Sequence, residues 1–369
     1  MKKVLFCASR ASHIVYFHRS YLEYYKQMGW EIHIVTEGIV DLPEVDRSID
    51  LSFSKRHFSG SNLKTILKLA ALIRKEKYQL ISSHATLAGL ICRGAIMLSG
   101  YRKATVVHTS HGYLFEDNQS LKSKLYLACE KLTSGRVDEL MVMNQEDYKI
   151  ANRYHLGRQI HFIDGMGIEQ THFPTYSEEE KSKVRDSLKI AKEDFVFLCV
   201  GEFSKRKNQT IILDALAQID PAQRPVKLLF AGDGNQLEAC KQQAKKLGIE
   251  KNVLFLGRID QINSLYQIAD AAISASFSEG LPFNIMEALL CHLPIIASEV
   301  KGHVDLLENG VNGLLFSVQQ PRQLVSAMNL LLNDSHLYNQ IKQHAYLPER
   351  YLIDQVKPVV LNYYQQLIT

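Results

Sequence analysis

Two acids stand eight positions apart around a proline in Ser278-Glu279-Gly280-Leu281-Pro282-Phe283-Asn284-Ile285-Met286-Glu287-Ala288. Pro282 suits the first turn of a helix, where its missing N–H is no loss. Gly280 allows close backbone approach. A helix N-terminus attracts phosphate through its unpaired N–H groups and its dipole. Glu279 would then stand just before the helix, beside that phosphate. Glu287 would lie about 7–8 Å further along the axis at 1.5 Å per residue. Carboxylates are strong acceptors for hydroxyls. Two of them flanking a diphosphate suit a nucleotide-sugar, one acid for the transferred hexose and one for the ribose. The plainer account of the same spacing is a capped helix with an acid near its positive end.

Further polar groups follow apolar runs. Gly201-Glu202-Phe203-Ser204-Lys205-Arg206-Lys207-Asn208 sets three cations before a helix, where they can neutralise a diphosphate or form a solvated basic turn. Ala231-Gly232-Asp233-Gly234 reads as a tight strand-to-helix turn. Thr109-Ser110-His111-Gly112 places an imidazole after a strand, able to bond a hydroxyl or phosphate oxygen near neutral pH. Ser12, His13 and His18 follow the first strand. Asn144 reads as a helix N-cap.

The elements that must position these groups alternate. Val4–Ala8, Glu31–Thr36, Gln79–His84, Thr105–His108 and Glu139–Asn144 read as strands, with helices over Ser12–Met28 and Asn62–Lys77. After a break near Gly165–Pro174 and a charged helix over Ser177–Lys192, the rhythm restarts. Phe195–Val200, Val226–Gly232, Val253–Gly257, Ala271–Ser274, Leu293–Ser298 and Gly313–Phe316 read as strands. Helices follow over Asn208–Ile219, Gln236–Leu247 and Gln261–Ala269. This β-α-β order predicts α/β structure with two parallel sheets. Ligands of such sheets sit at the C-terminal strand ends. Two sheets facing across a cleft would join their sites.

The length of 369 residues fits two domains, and 46% hydrophobic with 22% charged residues fits a folded globular chain. No run approaches the roughly 18 apolar residues of a spanning helix. Val4–Ala8 is too short for a signal-peptide core. The six cysteines, Cys7, Cys92, Cys129, Cys199, Cys240 and Cys291, are scattered and form no Cys-x-x-Cys motif, which suggests reduced thiols in the cytoplasm. Residues 1–174 hold 23 Lys+Arg and 17 Asp+Glu, a net of +6; the remainder holds 20 and 22, a net of −2. The basic half suits phosphates or an anionic membrane surface, or is an ordinary solvated face. Leu121-Lys122-Ser123-Lys124-Leu125 and Asn62–Lys77 mix apolar and cationic residues in the same sense. No Gly-x-Gly-x-x-Gly follows a strand, which disfavours a dinucleotide oxidoreductase. Modest charge without an aromatic–basic cluster disfavours nucleic acid as a partner.

Glu279 and Glu287 match the E-x7-E signature of retaining glycosyltransferases of family 4, and Glu279-Gly280-Leu281-Pro282 and Glu287-Ala288-Leu289 also resemble that family. The resemblance covers nearly the whole chain. It implies a GT-B fold, two Rossmann-like domains: 1–167 for the acceptor, with a C-terminal helix (350–369, Leu352 to Ile368) packing back on it, and 168–349 for the nucleotide-sugar donor. It implies that Lys207 stabilises the departing nucleoside diphosphate. Glu202 stands where the family carries arginine, so Arg206 and Lys205 are candidates for the second cation. It implies that His111 contacts the donor sugar and that Arg258, in Leu256-Gly257-Arg258, stacks on uracil or faces solvent. Gly280, Leu281 and Pro282 would line the donor. Lys301-Gly302-His303 resembles a family loop expected to be peripheral. Glu169 replaces a usual Asp, so nothing catalytic is carried over to it, and Ser12, His13 and His18 stand, without any glycine, where the family often carries a Gly-rich loop, which implies acceptor-side recognition.

The resemblance further implies retaining transfer with front-face attack, no cofactor and no metal in the catalytic site. Similar bacterial enzymes extend lipid-diphosphate-linked oligosaccharides for capsule, exopolysaccharide or O-antigen. A peripheral enzyme on the inner face of the cytoplasmic membrane is therefore expected. The competing readings are a UDP-sugar epimerase or hydrolase of similar fold, and a catalytically silent assembly partner.

Overall fold

The computed structural model describes residues 1–54, 59–113, 115, 120–220 and 224–365, with Lys122 described by its backbone alone. The chain divides into two compact units, Met1–Gly167 joined by the segment from Ile353 onward, and Ile168–Leu352.

The first unit is built on seven parallel strands: β1 (Lys3–Cys7), β2 (Glu31–Thr36), β3 (Arg47–Asp50), β4 (Leu80–His84), β5 (Thr105–Ser110), β6 (Glu139–Val142) and β7 (Gln159–Phe162), in the order β3-β2-β1-β4-β5-β6-β7. β1, β4 and β5 are buried along most of their length and are dominated by apolar and small residues, with His84 and His108 as buried exceptions. The helix expected over Ser12–Met28 is two helices, Ala11–Phe17 and Arg19–Gln27, broken at His18 (φ −125°, ψ −3°). The last helix, Ile353–Gln365, belongs to this unit: the Tyr364 hydroxyl lies 2.7 Å from Ser82 Oγ on β4. The end of the predicted helix, residues 366–369, lies outside the described residues, as does the Lys122 side chain.

The second unit carries six parallel strands: β8 (Phe195–Val200), β9 (Val226–Ala231), β10 (Val253–Phe255), β11 (Ala271–Ser274), β12 (Ile295–Ser298) and β13 (Gly313–Phe316), in the order β10-β9-β8-β11-β12-β13. One apolar cluster, including Phe195, Phe197, Phe230, Ile273, Ile296, Leu324 and Met328, fills the space between sheet and helices. The Gly-Asp-Gly turn after β9 has a packing reason. A Cβ on Gly232 (φ +147°) would fall 2.0 Å from Gly201 O, and one on Gly234 (φ +151°) 2.3 Å from Phe203 O. The glycines let this turn lie directly on the loop after β8, which carries the three cations.

Candidate active site

β8 and β11 are neighbours in the second sheet, so the loops leaving their C-terminal ends lie side by side. This brings Lys207 to Glu279 across 72 residues of sequence. Lys207 Nζ is 2.8 Å from one Glu279 oxygen, and Arg206 Nη1 is 2.6 Å from the other. Ser276 Oγ donates to Glu279 at 2.6 Å. The Arg206 guanidinium also donates to Ser278 O at 2.8 Å, and Phe277 N donates to Arg206 O at 2.8 Å, which ties the two loops together. The Glu279 side chain is only 9% exposed. Burial alone would raise its pKa, but Lys207, then Arg206, outweigh it and hold the carboxyl at about 2. Glu279 is therefore ionised throughout the physiological range.

The helix that follows is Phe283–Leu290, with Pro282 as its cap, one position earlier than expected. Glu287 lies within that helix and accepts a 2.7 Å bond from the Tyr266 hydroxyl, which also donates to Asn284 O. Burial pushes the Glu287 carboxyl up to about 7, against the opposing pull of the Tyr266 bond and Lys207. The two acids thus differ: Glu279 is a permanent anion gripped by cations, and Glu287 titrates near neutrality.

Sequence reasoning missed what stands behind Glu279. The Lys301-Gly302-His303 segment, expected to be peripheral, packs directly on it. A Cβ on Gly302 (φ +80°) would fall 2.8 Å from Gly280 O and 3.0 Å from Glu279 Cβ. His303 is fully buried; its Nδ1 donates to Ser298 O at 2.8 Å, so its Nε2 accepts from Ser274 Oγ at 3.2 Å. Burial lowers its pKa to about 4, leaving it neutral. Ser298 Oγ in turn donates to Ser276 O. The signal for this shell was weak because a Gly-His pair after a strand has many uses. Lys205, Glu202 and Arg258 are exposed, and Gly280, Leu281 and Pro282 stand at the turn between Glu279 and its helix.

In the first unit, His111 follows β5 and its Nε2 lies 3.2 Å from Nε2 of His13, which is on the helix after β1. His84, the last residue of β4, and His18 complete a cluster of four imidazoles, with the His18 and His84 ring centres 3.8 Å apart. β1, β4 and β5 are adjacent, so their C-terminal ends assemble this group. His18, expected as an acceptor contact, is 0% exposed and packs behind His13 against His84 and Phe6. His13 and His111 are half-buried, and Ser12 is half-buried one residue before His13. Asn144 is the N-cap expected of it. Its Oδ1 accepts from Asp147 N at 2.8 Å, and Asp147 Oδ2 accepts from Tyr113 N at 2.8 Å, which anchors the His111 loop.

The second unit thus sets two cations, both paired with Glu279, near a second acid and a helix N-terminus. Two family models match on either side of the domain break: Glycosyltransferase Family 4 over residues 17–164 and Glycosyl transferases group 1 over residues 180–347. The chain belongs to the family 4 glycosyltransferases of GT-B fold. This glycosyltransferase is 29% identical over 344 residues to the Bacillus subtilis (strain 168) protein named "Putative glycosyltransferase EpsD", covering 93% of this chain and 90% of that one. It is 27% identical over 283 residues to the Escherichia coli UDP-Gal:alpha-D-GlcNAc-diphosphoundecaprenol alpha-1,3-galactosyltransferase, covering 75% of this chain and 72% of that one. Among solved structures, Anabaena HepE in complex with UDP and glucose matches the glycosyltransferase with a TM-score of 0.79 at 20% identity. That match covers 99% of this chain and 100% of HepE.

Proposed function

We propose that this glycosyltransferase moves a hexose or N-acetylhexosamine from a UDP-sugar, with retention, to a polyprenyl-diphosphate-linked saccharide during surface polysaccharide synthesis. The observation that carries the reading is the Glu279 carboxylate held between Lys207 and Arg206 at the strand ends of the second unit. This unit would bind the donor, and the first unit the acceptor. The named lipid-linked acceptor of the Escherichia coli relative and the UDP bound by HepE support the two substrate classes.

In this reading the diphosphate enters between the cations and the N-terminus of the helix Phe283–Leu290. Lys207 and Arg206 meet its charge, while Glu279 accepts hydroxyls of the sugar and Glu287 those of the ribose. The bond from the anomeric carbon to the diphosphate oxygen breaks, and the acceptor oxygen bonds to that carbon on the same face. The acceptor's proton leaves with the diphosphate. Lys207, Arg206 and the helix dipole stabilise the charge that grows on the leaving group, so no metal is needed there. His111 supplies a neutral imidazole for a sugar hydroxyl.

A peripheral site at the cytoplasmic membrane face fits the outward-facing side chains of the first unit. Leu121, Leu125 and Leu132 are exposed on the helix Leu121–Ser134 with Lys124 and Lys131, and Leu63 and Leu67 are exposed beside Lys64 and Lys68. Leucine with lysine suits an anionic lipid surface. Among the described residues no helix is long and apolar enough to cross a membrane.

The test is transfer from a panel of UDP- and GDP-sugars to undecaprenyl-diphosphate-linked mono- and disaccharides, with the product anomer read by NMR. An α-linked product from an α-linked UDP-sugar is expected. Inversion at the anomeric carbon, or turnover of donor that is indifferent to acceptor, would overturn the reading.

A further inference from the structure

We propose that His13, His18, His84 and His111 form a binding site for one divalent transition metal of the zinc class. The four side chains offer one nitrogen each, all within 4.8 Å of one another. A tetrahedral ion with nitrogen ligands at about 2.0–2.1 Å requires nitrogen–nitrogen edges of about 3.3–3.4 Å. The His13–His111 pair is already at 3.2 Å, and small side-chain rotations bring in the others.

Unused buried nitrogens point the same way. His18 and His84 are 0% exposed, yet both nitrogens of His18 and Nδ1 of His84 have no hydrogen-bond partner. Leaving such groups unpaired in the interior is unfavourable. The other nitrogen of His84 is engaged: Nε2 meets Ser82 Oγ at 2.9 Å, and Ser82 Oγ meets the Tyr364 hydroxyl at 2.7 Å. An outer partner on one ring nitrogen, fixing the ring while the other faces inward, is the arrangement that supports metal-bound histidines. A neutral imidazole is the ligating form of histidine. An all-imidazole donor set suits zinc, cobalt, nickel or copper and not magnesium or calcium, which take oxygen ligands. A second cluster, Glu31, His33 and Glu76, is different: Lys3 and Arg47 already occupy its acids.

The site is built from residues of the first unit, whereas the proposed leaving-group cations, Lys207 and Arg206, belong to the second. Bound there, the ion occupies the His111 nitrogen that faces His13. Resting on the role proposed above for His111, zinc should therefore lower the transfer rate and chelation should restore it.

The binding test does not depend on activity. The full chain, stripped with EDTA, is titrated with Co2+ and followed by visible absorption, then with Zn2+ to displace it. One equivalent of Co2+ with the visible bands of a tetrahedral nitrogen site is expected. His84→Gln should weaken it more than about 100-fold, and Ser82→Ala by about 10–100-fold, as for loss of an outer-shell partner. UDP affinity in the second unit and circular dichroism report that each variant is folded. If His84→Gln fails to fold, the half-buried His13→Gln takes its place. Absence of stoichiometric Co2+ uptake, or unchanged affinity in the folded ligand variants, would overturn the site. Tight metal binding with unaltered transfer would leave the site standing and overturn the reading of His111.

Discussion

Lys207 and Glu279 form a 2.8 Å ion pair between loops that leave adjacent strands, β8 and β11, and the pair is largely shielded from solvent. The geometry makes Glu279 a stabilising acid, and the proposed function gives it a part in catalysis as well. Its value of about 2 in the folded protein lies below the ordinary 4.5, so its contribution is complete above about pH 4.5 and is lost as pH falls toward 2. At 1.36 kcal/mol per unit this is about 3 kcal/mol. Glu279→Gln should reduce kcat by about 10²–10³, the scale of a lost electrostatic contact in a catalytic site. Urea midpoints should show the wild type losing its advantage over the variant between about pH 4.5 and 2. Near-wild-type turnover in the variant would remove Glu279 from the reaction.

Lys207 and Arg206 are not equivalent. The Lys207 side chain is 14% exposed and that of Arg206 45%, so the lysine acts through less water. Lys207→Ala should lower kcat about 10²-fold or more, and Arg206→Ala about 10-fold. Calorimetry with UDP should rank the two losses the same way. The reverse ranking would make Arg206 the principal counter-ion.

Glu287 has the opposite sign. Its value of about 7 in the folded protein lies above the ordinary 4.5, so the folded state binds more protons than the unfolded one between those values. Stability should therefore fall as pH rises from about 4.5 to 7, by up to about 3 kcal/mol. Glu287→Gln removes that dependence and weakens UDP binding. Parallel urea curves for both proteins across this range would show that Glu287 titrates normally.

The leucine–lysine surface of the first unit can be tested alone. Replacing Leu121, Leu125 and Leu132 with serine should reduce co-sedimentation with anionic vesicles at least several-fold, since each buried leucine contributes about 1.5–3 kcal/mol. Soluble-donor binding should be unaffected. Equal vesicle binding by the triple variant would exclude this helix as the membrane contact.

Most central strands were legible because their burial on both faces leaves unbroken apolar runs. The internal strands β2, β8 and β11 fall on the residues expected, as does the apolar edge strand β13. β3 and β7 escaped notice because they are sheet edges with polar, partly exposed residues, Arg47-Ser48-Ile49-Asp50 and Gln159-Ile160-His161-Phe162. In the site, Lys207 and Glu279 lie in loops after strands and Glu287 lies in the helix that follows, and the E-x7-E and basic segments single them out through the family resemblance, since the spacing alone also fits a capped helix and a solvated turn. The Tyr266–Glu287 bond, the Gly302 contact and the four-histidine cluster carry no local pattern. The cluster spans 98 residues, and only the strand order β1-β4-β5 collects it. The break at His18 was invisible because the helical residues on either side keep their favourable pattern.

Gly302 ties the unrecognised shell to the acid it supports. Two costs act on any side chain there: the left-handed backbone at φ +80°, and a Cβ 2.8 Å from Gly280 O. Gly310 has nearly the same backbone, φ +78°, but nothing within 4 Å of its Cβ position. Gly310→Ala therefore isolates the backbone cost, about 1 kcal/mol or slightly more. Gly302→Ala adds the clash, and because backbone cannot yield as a flexible side chain does, its loss should exceed that of Gly310→Ala by about 1–3 kcal/mol. Relief of the clash moves the Glu279–Gly280 turn, so Gly302→Ala should also lower kcat while Gly310→Ala leaves it within about twofold. Denaturant titration and kcat for the pair provide the check. Equal stability losses with equal turnover would mean that the loop after β12 does not position Glu279.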